Sequence, residues 1–305
     1  MKKKPIRIVG VPMDFGAQHR GTDMGPSALR VANVAASLRE MGYEVGRELD
    51  VPVPSMESRA YAEASNLRFK EEILQVCNQL CVRVEDILQD GDFPLIYGGD
   101  HSLSMGSVSG VSNFLARENK NLGLIWFDAH GDMNTSDSSP SGNIHGMPLS
   151  ALLGLGDSDL CSIGGDRAKV STENVALVAI REIDVGEREV IRESGVRVFT
   201  MRDIDEQGMA AVVKEALEIV NDGTSGFHLS FDVDGLDPEI APGTGTRVQG
   251  GVDFREAHLF MENLADDGRM TSMDVVELNP ALDVKNQTAG VVKELILSAF
   301  GKSVL

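Results

Sequence analysis

Acidic and imidazole side chains follow several hydrophobic segments of the chain at short, regular spacing. The run DAHGD at 128–132 comes directly after the hydrophobic segment LIWF, and the run DVD at 232–234 follows the segment at 227–231. His101 follows a flexible Gly-Gly turn. Residues two apart in an extended chain point to the same side, so Asp128 and His130 are expected to face one way. Asp132 can curl back to join them.

These residue types predict a metal centre. Four carboxylates that converge in one buried pocket are untenable in a low dielectric unless cations are bound or the pKa values rise sharply. One divalent ion compensates half of that charge and two compensate all of it, and two ions could hold a bridging hydroxide at neutral pH. Carboxylates with only two imidazoles and no thiolate favour Mn²⁺ over Zn²⁺. The predicted ligands are His101, Asp128, His130, Asp132, Asp232 and Asp234.

The elements that must position these ligands form an α/β pattern, because short β-rich segments alternate with segments of helical period along the chain. Helices are predicted near 66–89, from Pro26 onward and over 286–300. No linker or repeat interrupts the pattern, so 1–305 is expected to be a single domain. The predicted strands are 6–11, 43–49, 94–97, 122–127, 175–180, 196–199, 227–231 and 272–276.

Four of these strands run into polar loops at their carboxyl ends. The loops begin with the Gly98-Gly99 turn before His101, with Asp128, with Asp232 and with Glu277. Ligands bind at the carboxyl edge of an open parallel sheet, so this edge is the predicted site.

Composition excludes several classes of protein. The 305 residues include 28 Lys and Arg against 47 Asp and Glu, a formal charge of −19, which repels a phosphate backbone and makes nucleic acid an unlikely partner. No apolar run approaches the ~18 residues of a membrane helix, and no membrane partner is expected. The cysteines Cys77, Cys81 and Cys161 lack metal-site spacing and are expected to be free thiols. The start of the chain has no signal-peptide pattern, so a cytoplasmic location is expected.

Three segments of the chain resemble the signatures of the ureohydrolase family, which groups arginases, agmatinases and related amidinohydrolases. They are GGDHS at 98–102, DAHGD at 128–132 and SFDVDGLDP at 230–238. The resemblance spans nearly the whole chain and implies a three-layer αβα, arginase/deacetylase-like fold around an eight-stranded parallel sheet. It also implies two Mn²⁺ ions per subunit, with Asp128 and Asp232 bridging them. In that division His101 and Asp132 complete one site, and His130 and Asp234 complete the other.

The loop at 134–146 resembles that of the arginase branch of the family. The resemblance implies that three of its residues recognise the α-carboxylate of the substrate: Asn134, Ser141 and Asn143. Neutral amide and hydroxyl groups can bind a carboxylate directly or through water. Asp184 matches the residue that accepts the α-ammonium group, with Glu187 nearby in the same role or supporting it, and Thr246 matches a further substrate-side residue. Glu277 matches the carboxylate that pairs with the guanidinium, a geometry that carboxylates suit.

The implied reaction is hydrolysis of L-arginine to L-ornithine and urea by a metal-bridging hydroxide. Asp132 relays the proton and His145 completes protonation of the leaving amine. Agmatinase or another guanidino-substrate ureohydrolase is the alternative, and a non-catalytic metal-binding scaffold is a remote one. Two departures bear on the α-amino pocket, since Arg247 stands where many arginases have Pro and Glu182 lies beside Asp184.

The resemblance also bears on assembly, because it implies a homo-oligomer, a trimer or a hexamer. The remaining histidines outside the ligand set are predicted to have structural or surface roles: His19, His228 and His258.

Overall fold

The computed structural model describes residues 3–56 and 66–303. Eight strands form one sheet in the order β2-β1-β3-β8-β7-β4-β5-β6, and every neighbouring pair is parallel. The predicted eight-stranded parallel sheet is therefore confirmed. The strands are β1 (Ile6–Gly10), β2 (Leu49–Asp50), β3 (Phe93–Tyr97), β4 (Gly123–Phe127), β5 (Val175–Ile180), β6 (Arg197–Thr200), β7 (Phe227–Asp232) and β8 (Met270–Val276).

One strand prediction is wrong. The segment 43–49 contributes only Leu49 to a strand, and β2 is two exposed residues long. Within 43–48 the sole pairing is an isolated bridge between Val45 and Ile6. An edge strand has a partner on one side only, so a weakly hydrophobic segment there gains little from extending the ladder.

Helices cover both faces of the sheet. The prediction of a helix near 66–89 is confirmed except at its start, which lies at Lys70, and the predicted terminal helix agrees to within one residue at each end. The helices are α1 (Gly25–Val31), α2 (Val34–Glu40), α3 (Lys70–Gln89), α4 (Ser104–Ala116), α5 (Pro148–Leu152), α6 (Ser158–Cys161), α7 (Val185–Ser194), α8 (Met201–Gln207), α9 (Met209–Val220), α10 (Phe254–Asp267) and α11 (Gln287–Ala299). Among the described residues, no helix is both long and apolar enough to cross a membrane.

Two hydrophobic cores, one on each face, establish the three-layer αβα architecture. One core joins the sheet to α1, α2 and α8 to α11, and the other joins it to α3 to α7. The side chains of β4 alternate between them, since Ile125 and Phe127 lie in the first core and Leu124 and Trp126 in the second. This alternation follows from the two-residue period of a strand that is buried on both sides.

The four strands at the centre of the sheet are those whose carboxyl ends carry the predicted metal ligands and Glu277. They are β3, β8, β7 and β4, which lie side by side although they are far apart in the sequence. The turn after β3 requires glycine, because a Cβ on Gly99 would lie 1.9 Å from the main-chain oxygen of Met13. The main chain at Gly99 packs directly against the main chain of Met13, and this close packing places His101 at the carboxyl edge of the sheet.

Candidate metal centre and substrate cavity

The imidazole of His101 is the meeting point of three carboxylates. Its Nδ1 atom lies 3.1 Å from Asp128 Oδ2, 2.9 Å from Asp132 Oδ2 and 3.1 Å from Asp232 Oδ2. All four side chains are buried. Three strand ends therefore deliver an N-donor and three O-donors to one point.

A second cluster shares Asp128 with the first. His130 Nδ1 lies 3.3 Å from Asp128 Oδ1 and 3.2 Å from Asp234 Oδ2, so the two oxygens of Asp128 face different histidines. Ligand atoms of His101, Asp128 and Asp232 lie within 4.8 Å of one another, as do those of Asp128, His130 and Asp234. The structure thus brings all six predicted ligands into two adjoining groups. Their individual roles stay predictions.

Local backbone structure orients these carboxylates. Asp128 Oδ1 accepts the main-chain N–H of His130, and Asp232 Oδ1 accepts that of Asp234, each at 2.7 Å. This side-chain turn is typical of Asp at the end of a structural element. Asp132 has a left-handed backbone with φ of 51°, which turns its carboxylate back toward His101.

The pKa values reflect the concentration of charge. Burial lowers the pKa of His101, but the adjacent carboxylates of Asp128 and Asp132 outweigh burial and raise it well above its ordinary value. Burial and then the neighbouring Asp234 and Asp128 raise the pKa of Asp232. Protons and metal ions therefore compete for the same donor atoms, and metal binding releases protons.

The donor set fits divalent cations. Within the described residues, the buried Nδ1 of His101 makes no hydrogen bond of good geometry, although three carboxylate oxygens lie within 3.1 Å of it. An orphaned nitrogen among converging oxygens matches a cation better than it matches a hydrogen-bond network. Carboxylate and imidazole donors suit Mn²⁺ and related six-coordinate ions.

A buried polar network supports His101 from below. Its Nε2 atom lies 2.9 Å from Ser230 Oγ, which donates to Asp274 Oδ1 at 2.7 Å. Asp274 Oδ2 accepts from Ser104 and Ser107 of α4 and lies 3.0 Å from His228 Nε2. Such outer contacts fix the ring and tautomer of a metal-ligating histidine.

A cavity of 420 Å³ opens above the two clusters. Glu277 and His145 meet beside it, with Glu277 Oε1 3.1 Å from His145 Nδ1. The same oxygen accepts the main-chain N–H of His101 at 2.9 Å. Glu277 is buried and, like Asp132, has a left-handed backbone, with φ of 60°. Non-glycine residues in this region are strained, and such residues are concentrated at functional sites.

Glu277 reaches the cavity through its contact with His145, whereas the remaining predicted substrate residues line the cavity directly: Asn134, Ser141, Asn143, Asp184, Glu187 and Thr246. Asp184 caps α7 by accepting the Glu187 N–H at 2.9 Å and accepts from Asn134 Nδ2 at 2.8 Å. Burial raises the pKa of Glu187 to about 8. Thr246 Oγ1 donates to Asp234 Oδ2 at 2.7 Å, so this hydroxyl joins the cavity wall to the second cluster.

The two departures from the arginase pattern lie at the same cavity. Arg247 lines it while its Nη2 donates to the Leu282 carbonyl at 2.7 Å. Glu182 also lines the cavity, and its Oε2 atom lies 3.9 Å from His130 Nε2. This carboxylate is therefore close to the second metal-ligand cluster, a contact that the prediction for the α-amino pocket did not include.

Sequence reasoning assigned no function to His19, which lines the cavity together with Gln18. The sequence could have indicated a role for His19, because the loop that contains it follows β1 at the same carboxyl edge of the sheet as the other site loops. A structural or surface role is predicted for His228. This residue is fully buried within the polar network that supports His101. His258 pairs with Ser298 Oγ at 2.7 Å.

The fold is a parallel sheet between two layers of helices, and its carboxyl edge carries adjoining carboxylate–imidazole clusters and an acidic cavity. These features define an α/β enzyme built around a metal centre. The Arginase family model matches residues 4–301. The chain therefore belongs to the arginase family.

Individual relatives agree with this assignment. The chain is 48% identical over 302 residues to the arginase of Brevibacillus brevis, with 99% of each chain covered. It is similar to the crystal structure of the arginase from Bacillus caldovelox, with a TM-score of 0.93, 45% identity, and coverage of 99% of this chain and 100% of that one. It is also similar to the Entamoeba histolytica arginase crystallised with L-ornithine, with a TM-score of 0.91, 32% identity and the same coverage.

Proposed function

We propose that this protein is an arginase that hydrolyses L-arginine to L-ornithine and urea. The observation that carries the proposal is the position of Glu277, which accepts the main-chain N–H of His101 at the first cluster and contacts His145, a residue that lines the 420 Å³ cavity. Glu277 is a buried carboxylate, and a guanidinium is the cation whose planar fork matches a carboxylate. The similarity to arginases of several organisms supports the same reaction.

Two Mn²⁺ ions would fit the donor set: His101, Asp128, Asp132 and Asp232 would hold one ion, and Asp128, His130, Asp232 and Asp234 would hold the other. The close contact of Asp128 with both histidines supports its role as a bridging ligand. When bound, such ions act as Lewis acids and lower the pKa of a coordinated water.

The protein's own residues orient the substrate and move its protons. Glu277 binds the guanidinium so that its central carbon faces the two clusters. Burial lowers the pKa of His145, but Glu277 outweighs burial and raises it to about 9. This pairing supports the proposal that His145 donates a proton to the leaving amine. Asp132 lies 2.9 Å from His101 Nδ1 at the first cluster and also lines the cavity, a position that supports its role in relaying the proton of the reaction toward His145.

The opposite end of the substrate is recognised by the cavity wall. Asn134, Ser141 and Asn143 bind the α-carboxylate, while Asp184 and Glu187 bind the α-ammonium group. The raised pKa of Glu187 falls when a cation binds beside it, because a nearby positive charge favours the ionised carboxylate. Thr246 completes the substrate side of the site.

A urea assay with L-arginine and agmatine in parallel, after incubation with Mn²⁺, tests the proposal. Agmatine lacks the α-carboxylate, so an arginase should turn over L-arginine far better. Equal or better turnover of agmatine would assign the chain to the agmatinase branch. Urea from neither substrate, with full metal occupancy, would favour a metal-binding scaffold.

The family resemblance also leads to expectations for domain organisation, location and assembly. We expect a single domain over 1–305 that acts in cytoplasmic arginine metabolism as a homo-oligomer, a trimer or a hexamer, as the family resemblance implies. Measurement of the mass in solution tests the assembly. The proposed partner of the site is its small-molecule substrate, L-arginine.

A further inference from the structure

Arg68 lies just before α3 and contacts the loop at 134–146, which lines the cavity. Its main-chain N–H donates to the Gly142 carbonyl at 3.0 Å, and its Nη1 donates to Asn143 Oδ1 at 3.2 Å. Gly142 has a left-handed backbone with φ of 73°, a conformation that glycine adopts without a steric penalty. Two hydrogen bonds thus join one arginine to two consecutive residues of the loop.

These contacts set the direction of the Asn143 amide. A guanidinium has donors and no acceptor, so the amide oxygen of Asn143 must face Arg68 and the Nδ2 group must face away from it. Asn143 is buried and lines the cavity. Within the described residues, the hydrogen bonds of Asn143 to its own loop are made by its main chain, whose N–H donates to Ser141 Oγ at 3.2 Å and whose carbonyl accepts the Gly146 N–H at 3.4 Å. Arg68 is the side chain that distinguishes the two ends of this amide.

We propose that Arg68 is a positioning residue for carboxylate recognition, because it holds Asn143 so that the amide presents donors to the substrate. This inference rests on the proposed function, in which the α-carboxylate binds at this wall. Without Arg68, the amide can rotate and present Oδ1 to the carboxylate, which places two acceptors face to face. The charge of the exposed guanidinium adds little by itself, since solvent and salt screen it.

The test compares Arg68→Met with Arg68→Lys in the Mn²⁺-loaded enzyme. Loss of one oriented hydrogen bond should raise the KM for L-arginine about fivefold with kcat unchanged. The inhibition constant of L-ornithine should rise by a similar factor. The inhibition constant or KM of agmatine, which has no carboxylate, should stay within error of the wild-type value. Arg68→Lys retains a donor and should recover part of the loss.

Two controls separate positioning from general structural damage. Arg83→Met removes an exposed arginine from α3 and should leave every constant unchanged. Asn143→Ala should raise the KM for L-arginine, and combining it with Arg68→Met should add nothing further, because the two residues act as one unit.

An unchanged KM for L-arginine in Arg68→Met, or an equal change for agmatine, would overturn the role of Arg68 and leave the proposed function intact. A kcat loss in Arg68→Met that Arg68→Lys does not recover would also overturn it. If the wild-type enzyme makes no urea from L-arginine, the proposed function fails, and the inference about Arg68 fails with it.

Discussion

The Nδ1 atom of His145 lies 3.1 Å from Oε1 of Glu277, the same oxygen that accepts the main-chain N–H of His101 at 2.9 Å. One carboxylate oxygen therefore connects the cavity loop to the first metal-ligand cluster. In the proposed reaction, Glu277 both receives the guanidinium and sets the charge of the residue that protonates the product.

Replacing Glu277 with Gln should reduce kcat/KM for L-arginine by about 100-fold or more, because a buried charge-assisted pair is lost. The neutral amide keeps nearly the same shape, so the fold should persist. Steady-state kinetics and circular dichroism measure the two effects. A variant with wild-type kcat/KM would remove Glu277 from guanidinium binding.

The Glu277→Gln variant should also lower the pKa of His145 from about 9 toward its ordinary value of 6.5. The raised pKa means that the His145–Glu277 pair stabilises the fold fully below about pH 6.5, and this contribution is lost as the pH rises through about 9. NMR titration of the His145 ring in the substrate-free enzyme measures the shift. A ring that titrates identically in both proteins would exclude the pairing.

Replacing His145 with Ala should lower kcat by about 10²- to 10⁴-fold, the range for loss of a general acid. Metal content should not change, since His145 is outside both metal-ligand clusters. Elemental analysis alongside kinetics separates the two effects. A wild-type kcat would show that the proton reaches the leaving amine by another route.

Replacing Asp128 with Asn should remove metal as well as activity, because Asp128 contacts both histidines of the clusters. We expect affinity for Mn²⁺ to fall by more than about 100-fold, beyond the range for loss of an outer contact. Asp159→Asn is the matched control, since the Asp159 side chain is 63% exposed on α6. Full Mn²⁺ occupancy in Asp128→Asn would refute the bridging role.

Asp184 has two roles that different substitutions separate. Asp184→Ala should raise the KM for L-arginine about tenfold and also cost about 1 kcal/mol of stability, because the cap of α7 is lost. Asp184→Asn should raise the KM while keeping the cap, since Asn caps helices as well as Asp does. Kinetics and thermal unfolding of both variants measure this. An unchanged KM in both would exclude Asp184 from the substrate pocket.

Much of this architecture was predictable from the sequence, because two independent patterns indicate the same sheet. One is the spacing of hydrophobic residues within the strands and helices, and the other is the placement of polar residues directly after the strands. The six metal-ligand candidates and Glu277 each follow a buried strand, where an isolated run of acids is conspicuous. The strand predicted at 43–49 failed because the edge of the sheet supplies little tertiary support for extended structure. Leu49 is paired there and is nevertheless exposed.

The contacts that sequence reasoning missed have no local signature. Ser230 and Asp274 lie on neighbouring strands, and Ser107 reaches them from a helix distant in the sequence. Each would pass for an ordinary polar residue until β7 and β8 pair. The contact of Arg68 with Asn143 joins residues 75 positions apart and is equally invisible in a linear pattern.

The position of β8 has a consequence for how the enzyme is made. It is the last strand along the chain, yet it lies between β3 and β7 in the middle of the sheet. On the ribosome, β1 to β3 and β4 to β7 therefore emerge as two groups with no hydrogen-bonded ladder between them. His101 comes from one group and its carboxylate neighbours from the other, so the nascent polypeptide can complete its catalytic centre only after synthesis has passed Val276.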